Sequence, residues 1–377
     1  MKYRRLGVTM IIQAYLPHIG GAEQQLAALA PRLRERNIHM QVITRQYPGM
    51  SRREVIDKVP IFRLPVPGPK AIASLIFTFS ALFLLRRLKP DLIHAHELLS
   101  PTTTAAAAKQ QYGVPVVAKV LRGGQLGDLA KLKKRTGGVK RIQTFKELVD
   151  GFIVISQEID QELDAWGIPQ HQRFFIPNGV DTNRFEPVGP EEKTWLRQRL
   201  RLPNGPLALF TGRLVPEKCL DQLIHLWPHV RASYPQAQIV FLGTGPEETK
   251  LRRMAGEGVT FVGHTSDVVP YLQAADLFIL PSFTEGLSNA MLEAMATGLP
   301  VIATHVGGAP DVITHKQNGW LIPPQQPECL HNAIITLFTL NDLRFNLGEQ
   351  GRRRIEAGYS LDVTAERLVT LYERFIP

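Results

Sequence analysis

The sequence predicts an α/β protein built from two doubly wound domains with parallel sheets. Three observations carry that prediction. The first is length: 377 residues exceed one ordinary core, at roughly 100–200 residues per domain. The second is a repeated unit of apolar strand, Gly- or polar-rich turn and amphipathic helix, which implies parallel strands joined by crossover helices. The third is that this series restarts after a Pro- and Gly-bearing stretch ending near Pro206. With 44% hydrophobic and 21% charged residues the chain is globular, which excludes collagen-like, disordered and multi-span membrane classes.

Taken in order, residues 7–14 read as a strand, 17–21 as a turn and 22–36 as a helix. Pro31 falls inside that helix and should kink it, because its ring clashes with an earlier carbonyl. Asn37 suits the left-handed position that ends it. Residues 40–44, 92–96, 114–120 and 151–156 supply further strands. In the second series 207–211, 239–243, 259–262, 277–281 and 301–304 read as strands, with helices such as 220–234 and 287–297 between them. Residues 1–185 thus form a first domain, 186–206 a linker and 207–355 a second domain. A last helix, within 356–377, is expected to pack back toward the first.

Residues 71–85 are nearly all apolar, with Lys70 before them and Arg86, Arg87 and Lys89 after. About 15 residues falls short of the ~20 that span a bilayer as a helix. A strand follows directly, so the segment reads as a buried or interfacial crossover helix.

The net charge of +10 is unevenly spread. Residues 1–177 carry 26 Lys and Arg against 13 Asp and Glu, and residues 131–141 alone hold six cations. Such a surface attracts anionic lipid, an acidic substrate or nucleic acid. Two cysteines, Cys219 and Cys329, are too few for a disulfide framework or a four-ligand zinc site and read as reduced, buried thiols. The opening residues run straight into a strand without a signal-peptide pattern, so a cytoplasmic protein is expected.

Open α/β sheets bind ligands beyond the carboxyl ends of their strands. Motifs placed directly after strands therefore come first. Gly20-Gly21 lets a ligand approach the backbone at a helix start, although alone it also fits a plain tight turn. Arg213 and Lys218 put two cations after the first strand of the second domain, which suits a diphosphate. Glu285 sits in a turn and Glu293 in the following helix. Were the segment fully helical they would stand ~12 Å apart along its axis and could contact opposite parts of one long ligand. Gly286, Leu287 and Ser288 add backbone amides at that helix start.

His94 and His96 share one side of a strand. No third metal ligand of recognisable spacing follows, and His96, nearer the strand end, is the candidate substrate contact. Gly243-Thr-Gly245 lacks the third glycine of a dinucleotide fingerprint. Phosphate-loop, nucleophile-elbow and His-Glu-x-x-His motifs are missing too, which removes support for dehydrogenase, ATPase, serine hydrolase and zinc protease readings.

The chain resembles the retaining glycosyltransferases of family 4. The matching pieces are Gly20-Gly21-Ala22-Glu23, the stretch from Ile176 to Phe185, Gly212-Arg213 with Lys218, and Phe241-Leu-Gly-Thr-Gly245. Glu285-Gly286 through Glu293-Ala-Met-Ala, Gly298 to Ala303, Gly307-Gly308 and Asn318-Gly319 complete the set. Jointly they are specific and span nearly the whole chain.

The resemblance implies the GT-B architecture, two Rossmann-like doubly wound domains facing across a cleft. It also implies a nucleotide-sugar donor held mainly by the second domain. Arg213 and Lys218 would bind the diphosphate, Glu293 the ribose, and Glu285 with the backbone of Gly286, Leu287 and Ser288 the donor sugar. Gly20 and Gly21 would close over the phosphates from the first domain. No metal cofactor is expected where cations take that role. Where many family members carry a sugar-contacting histidine, this chain has Arg122 or Lys119, and Asp128 is a candidate acceptor contact.

The expected partners are a nucleotide sugar, a carbohydrate or lipid-linked acceptor and an anionic membrane surface on the cytoplasmic side, but not nucleic acid. Rival readings are an epimerase or phosphorylase on the same fold, a silent partner subunit or a polyanion binder. The first two enzymes need a base or a cofactor lysine for which no motif is present. A silent relative would be expected to lose Glu293 or Lys218, and both are here.

Overall fold

The computed structural model describes residues 5–18 and 20–376. Residues 1–4, on which part of the expectation for the chain's start rests, lie outside the described residues. So do Ile19 in the expected first turn, Pro377, and the side chains of Lys70 and Ala71. Two compact units divide the chain: Met1–Asn178 with Leu361–Pro377, and Gly179–Ser360.

The first unit opens with β1 (Leu6–Ile11), α1 (Gly21–Glu35), β2 (Ile38–Arg45), β3 (Arg53–Ile56) and β4 (Val59–Leu64). It continues through α2 (Lys70–Leu88), β5 (Leu92–His96), α3 (Ser100–Tyr112), β6 (Val116–Lys119), α4 (Asp128–Lys133) and α5 (Gly138–Leu148). β7 (Gly151–Val154), α6 (Gln157–Ala165) and β8 (Arg173–Phe175) follow. The second unit holds α7 (Pro190–Arg199), β9 (Leu207–Thr211), α8 (Leu220–Ser233), β10 (Gln238–Leu242), α9 (Glu248–Met254) and β11 (Val259–Gly263). Then come α10 (Val269–Ala274), β12 (Leu277–Leu280), α11 (Asn289–Ala296), β13 (Val301–Thr304), α12 (Ala309–Val312) and β14 (Trp320–Ile322). α13 (Pro327–Thr339) and α14 (Asn341–Gly358) close that unit, and α15 (Leu361–Phe375) returns to the first.

The first sheet runs β3-β4-β2-β1-β5-β6-β7-β8, parallel throughout except for the β3–β4 hairpin. The second runs β11-β10-β9-β12-β13-β14, all parallel. Parallel sheets are covered on both faces, so their central strands read as unbroken apolar runs, and every residue of β7, β9, β12 and β13 is buried. Strand order reverses between β1 and β5 in one unit and between β9 and β12 in the other. At those two points adjacent crossovers leave in opposite directions and open a crevice.

Local signals account for most boundaries. α1 passes through Pro31 and runs on to Glu35, and Asn37 takes the expected left-handed conformation, with φ 59°. α15 is integral to the first core: Leu361, Ala365, Leu368, Val369, Leu371 and Tyr372 are buried among residues of β1, β2 and α1. Arg36 pairs with Asp362 and Glu366 at its start. Both thiols are free. Cys219 is buried as expected, but Cys329 is only half-buried, because it lies in the exposed first turn of α13.

Much of 186–206 is the helix α7 rather than extended chain. Asp276, just before β12, accepts from Lys193 Nζ and Arg197 Nη2, each at 2.7 Å, and from the backbone amide of Leu207 at 2.8 Å. It ties α7 to the starts of both central strands. Burial alone would raise its carboxyl, but Lys193 and Arg197 hold it below the usual aspartate range. Asp276→Ala would leave buried Arg197 and half-buried Lys193 without their carboxylate, a loss of about 3 kcal/mol. A depressed carboxylate stabilises above its unfolded pKa and loses that effect as pH falls. Denaturant titrations should therefore show the gap between wild type and variant at neutral pH, shrinking once pH drops below about 4.

Candidate active site

In the second unit the loops after β9 and β12 emerge side by side, because those strands pair. The chain leaves β9 through Gly212, and the loop after β10 closes against it: Leu214 donates to the Thr244 carbonyl at 3.0 Å. A Cβ at Gly243 or Gly245 would run into the carbonyl oxygens of Gly212 or Leu214. Close loop packing thus explains Gly243-Thr-Gly245.

Arg213 is exposed on this loop. A single 3-10 turn, Pro216–Lys218, then turns Lys218 toward the loop after β12, where its Nζ donates to Glu285 Oε1. Ser282 Oγ donates to the same oxygen at 2.6 Å. Ser282 is itself fully buried and its carbonyl accepts from Thr304 Oγ1 at 2.5 Å. Phe283 donates to the Glu217 carbonyl at 2.8 Å, which joins the two loops a second time. Glu285 is left 8% exposed, a carboxylate with one cation and one hydroxyl on a single oxygen.

α11 starts only at Asn289, capped by Ser288 Oγ, which accepts from the Met291 amide at 3.3 Å. Residues 285–288 are loop, so the ~12 Å axial separation of a fully helical segment does not apply to Glu285 and Glu293. Glu293, within α11, is partly covered, and its carboxyl finds no hydrogen-bond donor among the described residues. Burial pushes its carboxyl up to about 7, with Arg184 pulling the other way. Gly307, at φ +56°, packs against the same loop. A Cβ there would lie 2.5 Å from the Gly286 carbonyl oxygen, and the amide of Gly308 donates to that oxygen at 2.6 Å. Gly286, Leu287 and Ser288 are thus held from below.

In the first unit the predicted residues gather at the β1–β5 reversal. Gly20 is the N-cap of α1. Burial raises the Glu23 carboxyl, while the amides of Glu23 and Gly20 donate to it, so the chain's own carboxylate already covers this helix start. Glu97, one residue past β5, has φ 82°, a conformation rare for a side chain of its size. Its Oε2 accepts from Gln13 Nε2 at 2.9 Å, and it contributes to raising the carboxyls of Glu23 and Asp128.

His96 is buried and stacked on His94, with ring centroids 4.3 Å apart. Burial and nearby Lys119 lower it to about 3, so its ring is neutral, and Nε2 is buried without a partner among the described residues. His94 Nδ1 meets the Tyr372 hydroxyl at 2.7 Å, an anchor to α15. Lys119, inside β6, is buried, lowered to about 8 and bonded to Asn178 Oδ1 at 2.8 Å. Arg122 lies half-buried in the following loop. Asp128 is 1% exposed and accepts from the amides of Leu98 and Leu121 at 3.3 and 3.2 Å. It holds together the loops that follow β5 and β6, and burial pushes it up to about 6. Among the described residues no group of three or more His, Cys, Asp and Glu is arranged to hold a metal ion.

Ser282, Thr304, Gln13 and the left-handed Glu97 escape sequence reasoning. Ser and Thr after strands are too common to signal anything, and a positive φ at Glu97 has no sequence marker. The raised Glu293 carboxyl has a measurable consequence. Such a group favours folding below its unfolded pKa and loses that contribution as pH rises through its folded value. Glu293→Gln should therefore be more stable than wild type at pH 8, by on the order of 2 kcal/mol, and equal to it near pH 4. Thermal unfolding across that range measures the difference.

Comparison with known proteins adds the family. The model for Glycosyltransferase Family 4 matches residues 19–184, and that for Glycosyl transferases group 1 matches residues 205–339. A GDP-mannose-dependent monoacylated alpha-(1-6)-phosphatidylinositol monomannoside mannosyltransferase of Corynebacterium glutamicum is 33% identical over 289 residues, covering 73% of this chain and 74% of the relative. A D-inositol 3-phosphate glycosyltransferase of Salinispora arenicola is 28% identical over 401 residues, covering 94% of this chain and 87% of the relative. The solved sucrose-phosphate synthase of Thermosynechococcus elongatus superposes with a TM-score of 0.82 at 24% identity, over 98% of this chain and 99% of that one. Its likeness extends to the two Rossmann-like units of a GT-B fold. With family models matching both halves of the chain and a relative at this identity across three quarters of its length, the chain belongs to glycosyltransferase family 4, and it is a glycosyltransferase.

Proposed function

We propose that the chain moves a sugar, with retention of anomeric configuration, from a nucleoside-diphosphate donor to a hydroxyl of a lipid-linked or glycan acceptor. The observation that carries this reading is the Lys218–Glu285 pair, braced by buried Ser282 where β9 and β12 end, beside the capped start of α11. A crevice at a strand-order reversal that offers two cations, a fixed carboxylate and a helix N-terminus suits a diphosphate ester of a polyol.

In this reading Arg213 and Lys218 meet the diphosphate and stabilise the charge that develops on it. Glu285, with the backbone of Gly286, Leu287 and Ser288, takes the sugar hydroxyls. Glu293, whose carboxyl has no hydrogen-bond donor among the described residues, takes those of the ribose. Gly20 and Gly21 serve the phosphates from the start of α1. On the acceptor side stand His96 and Arg122, with Asp128 acting through the loops it holds. The bond from C1 to the diphosphate oxygen breaks as the acceptor oxygen joins C1 on the same face. The acceptor's proton passes to the departing phosphate oxygen. Because Arg213 and Lys218 supply the positive charge, transfer is expected to survive EDTA.

Relatives at 33–34% identity are named as GDP-mannose-dependent mannosyltransferases of phosphatidylinositol monomannoside, which makes GDP-mannose the first donor to test. Calorimetry with GDP, UDP and ADP sugars in EDTA should give one nucleotide class that binds. Glu293→Ala should weaken that binding at least about tenfold, a change of about 1.4 kcal/mol. Wild-type affinity should rise as pH climbs from 6 to 8 and the Glu293 carboxyl ionises, whereas Glu293→Gln should show a flat profile. Lys218→Ala should lower kcat by on the order of a hundredfold. If none of the three classes binds, the donor assignment fails.

A further inference from the structure

α2 is apolar nearly all round, and the structure exposes the side that a soluble helix would normally keep polar. Ile72, Leu75, Phe79 and Phe83 are 52%, 61%, 70% and 58% exposed. Their spacings of three, four and four residues put them on one stripe, about 16 Å long at 1.5 Å per residue. The opposite side packs inward through Ala73, Phe77, Ala81, Leu84 and Leu85. Toward α3 the helix presents hydroxyls instead, with Ser74 Oγ 3.2 Å from Ser100 Oγ and Thr78 Oγ1 2.9 Å from Thr104 Oγ1. Small polar side chains thus lie in the packed seam, and four large apolar ones face outward.

The stripe runs into cations. Arg86, Arg87 and Lys89 end the helix exposed, and the Arg87 guanidinium lies 4.3 Å from the centroid of the Phe83 ring. α2 packs on α3, α3 on α5 and α5 on α4, so these helices form one layer on one face of the sheet. α4, α5 and the turn between them carry the basic run, with Lys131, Lys133, Lys134, Arg135 and Lys140 all exposed. Exposed Val139 and Leu126 lie among or beside these cations. No helix among the described residues is long and apolar enough to cross a membrane.

We propose that this layer docks on an anionic lipid surface, with Ile72, Leu75, Phe79 and Phe83 entering the boundary between headgroups and acyl chains. Arg86, Arg87, Lys89 and the cations of α4 and α5 then meet the lipid phosphates. The charge complement selects the occupant. A partner protein or a second copy would account for the apolar stripe alone, whereas stripe and cations in one layer together match the two requirements of stable peripheral attachment. The proposal goes beyond the donor reading and does not depend on it.

Flotation of the full chain with phosphatidylcholine vesicles, with and without phosphatidylglycerol, tests it. Wild type should float with the anionic vesicles at low salt and be largely lost at high salt or on neutral lipid. Leu75→Ser/Phe79→Ser/Phe83→Ser should lower partitioning at least about tenfold, and Arg86→Glu/Arg87→Glu should abolish the dependence on anionic lipid. Both variants change only exposed residues, and an unchanged circular dichroism spectrum and thermal unfolding midpoint verify that they are folded. Flotation of the triple variant equal to wild type overturns the proposal. So does failure of wild type to float, and gel filtration then tells whether the stripe instead joins two copies. Loss of nucleotide binding or transfer with flotation intact would fault the donor site alone.

Discussion

Both units depend on one constraint: a parallel sheet must be covered on both faces. Each crossover helix therefore returns over the sheet, and every parallel strand delivers its following loop to the same edge. Polar chemistry is excluded from the sheet faces and collects at that edge, most of all where strand order reverses. The β9–β12 and β1–β5 reversals are where the molecule places Lys218 with Glu285 and Gln13 with Glu97. The anchors at the opposite edge obey the same rule. Asp276 satisfies the first amide of β9 while pairing with two cations of α7, so even a charged residue there serves the sheet.

The chemistry at the β9–β12 reversal is held by packing that reaches well behind it. An ion pair so little exposed pays heavily for its lost hydration. Lys218 and Glu285 are kept in register by Ser282 and by Thr304 beneath it, and the Phe283–Glu217 backbone bond joins their loops. Gly307 approaches the Gly286 carbonyl so closely that no larger residue fits without displacing the loop, and a side chain at Gly308 would crowd Leu287. The family signature is thus partly chemical and partly steric: its carboxylates and cations touch ligand in the proposed reading, whereas its glycines let three loops meet.

The first unit breaks the apolar rule inside its sheet. His94, His96 and Lys119 are buried in β5 and β6; burial lowers all three, and the nearby positive charge of Lys119 lowers both imidazoles further. His94 is explained by Tyr372 of α15, so the last helix is tied in by a polar contact as well as by its apolar face. Among the described residues the Nε2 atoms of both His94 and His96 lack a hydrogen-bond partner, and Glu97 beside His96 has a φ of 82°.

Much was legible in the sequence. Periodicity located β5, β9 and β13 to the residue, since buried parallel strands have sharp apolar edges. Motif order alone identified the family and the paired cations and carboxylates. Where tertiary contacts compete with local preference, the sequence was a weaker guide. The Pro- and Gly-bearing stretch after Val188 reads as linker, yet it forms α7 because Asp276 binds Lys193 and Arg197 from a strand about 80 residues away. The apolar run of α2 reads as buried or interfacial, and only its packing on α3 decided which residues face out. Likewise, composition cannot reveal that Glu293 is crowded into a raised pKa, or that Glu97 is held left-handed. Local patterns carry the energetics of single elements, whereas desolvation, pairing and strain arise only when distant elements meet.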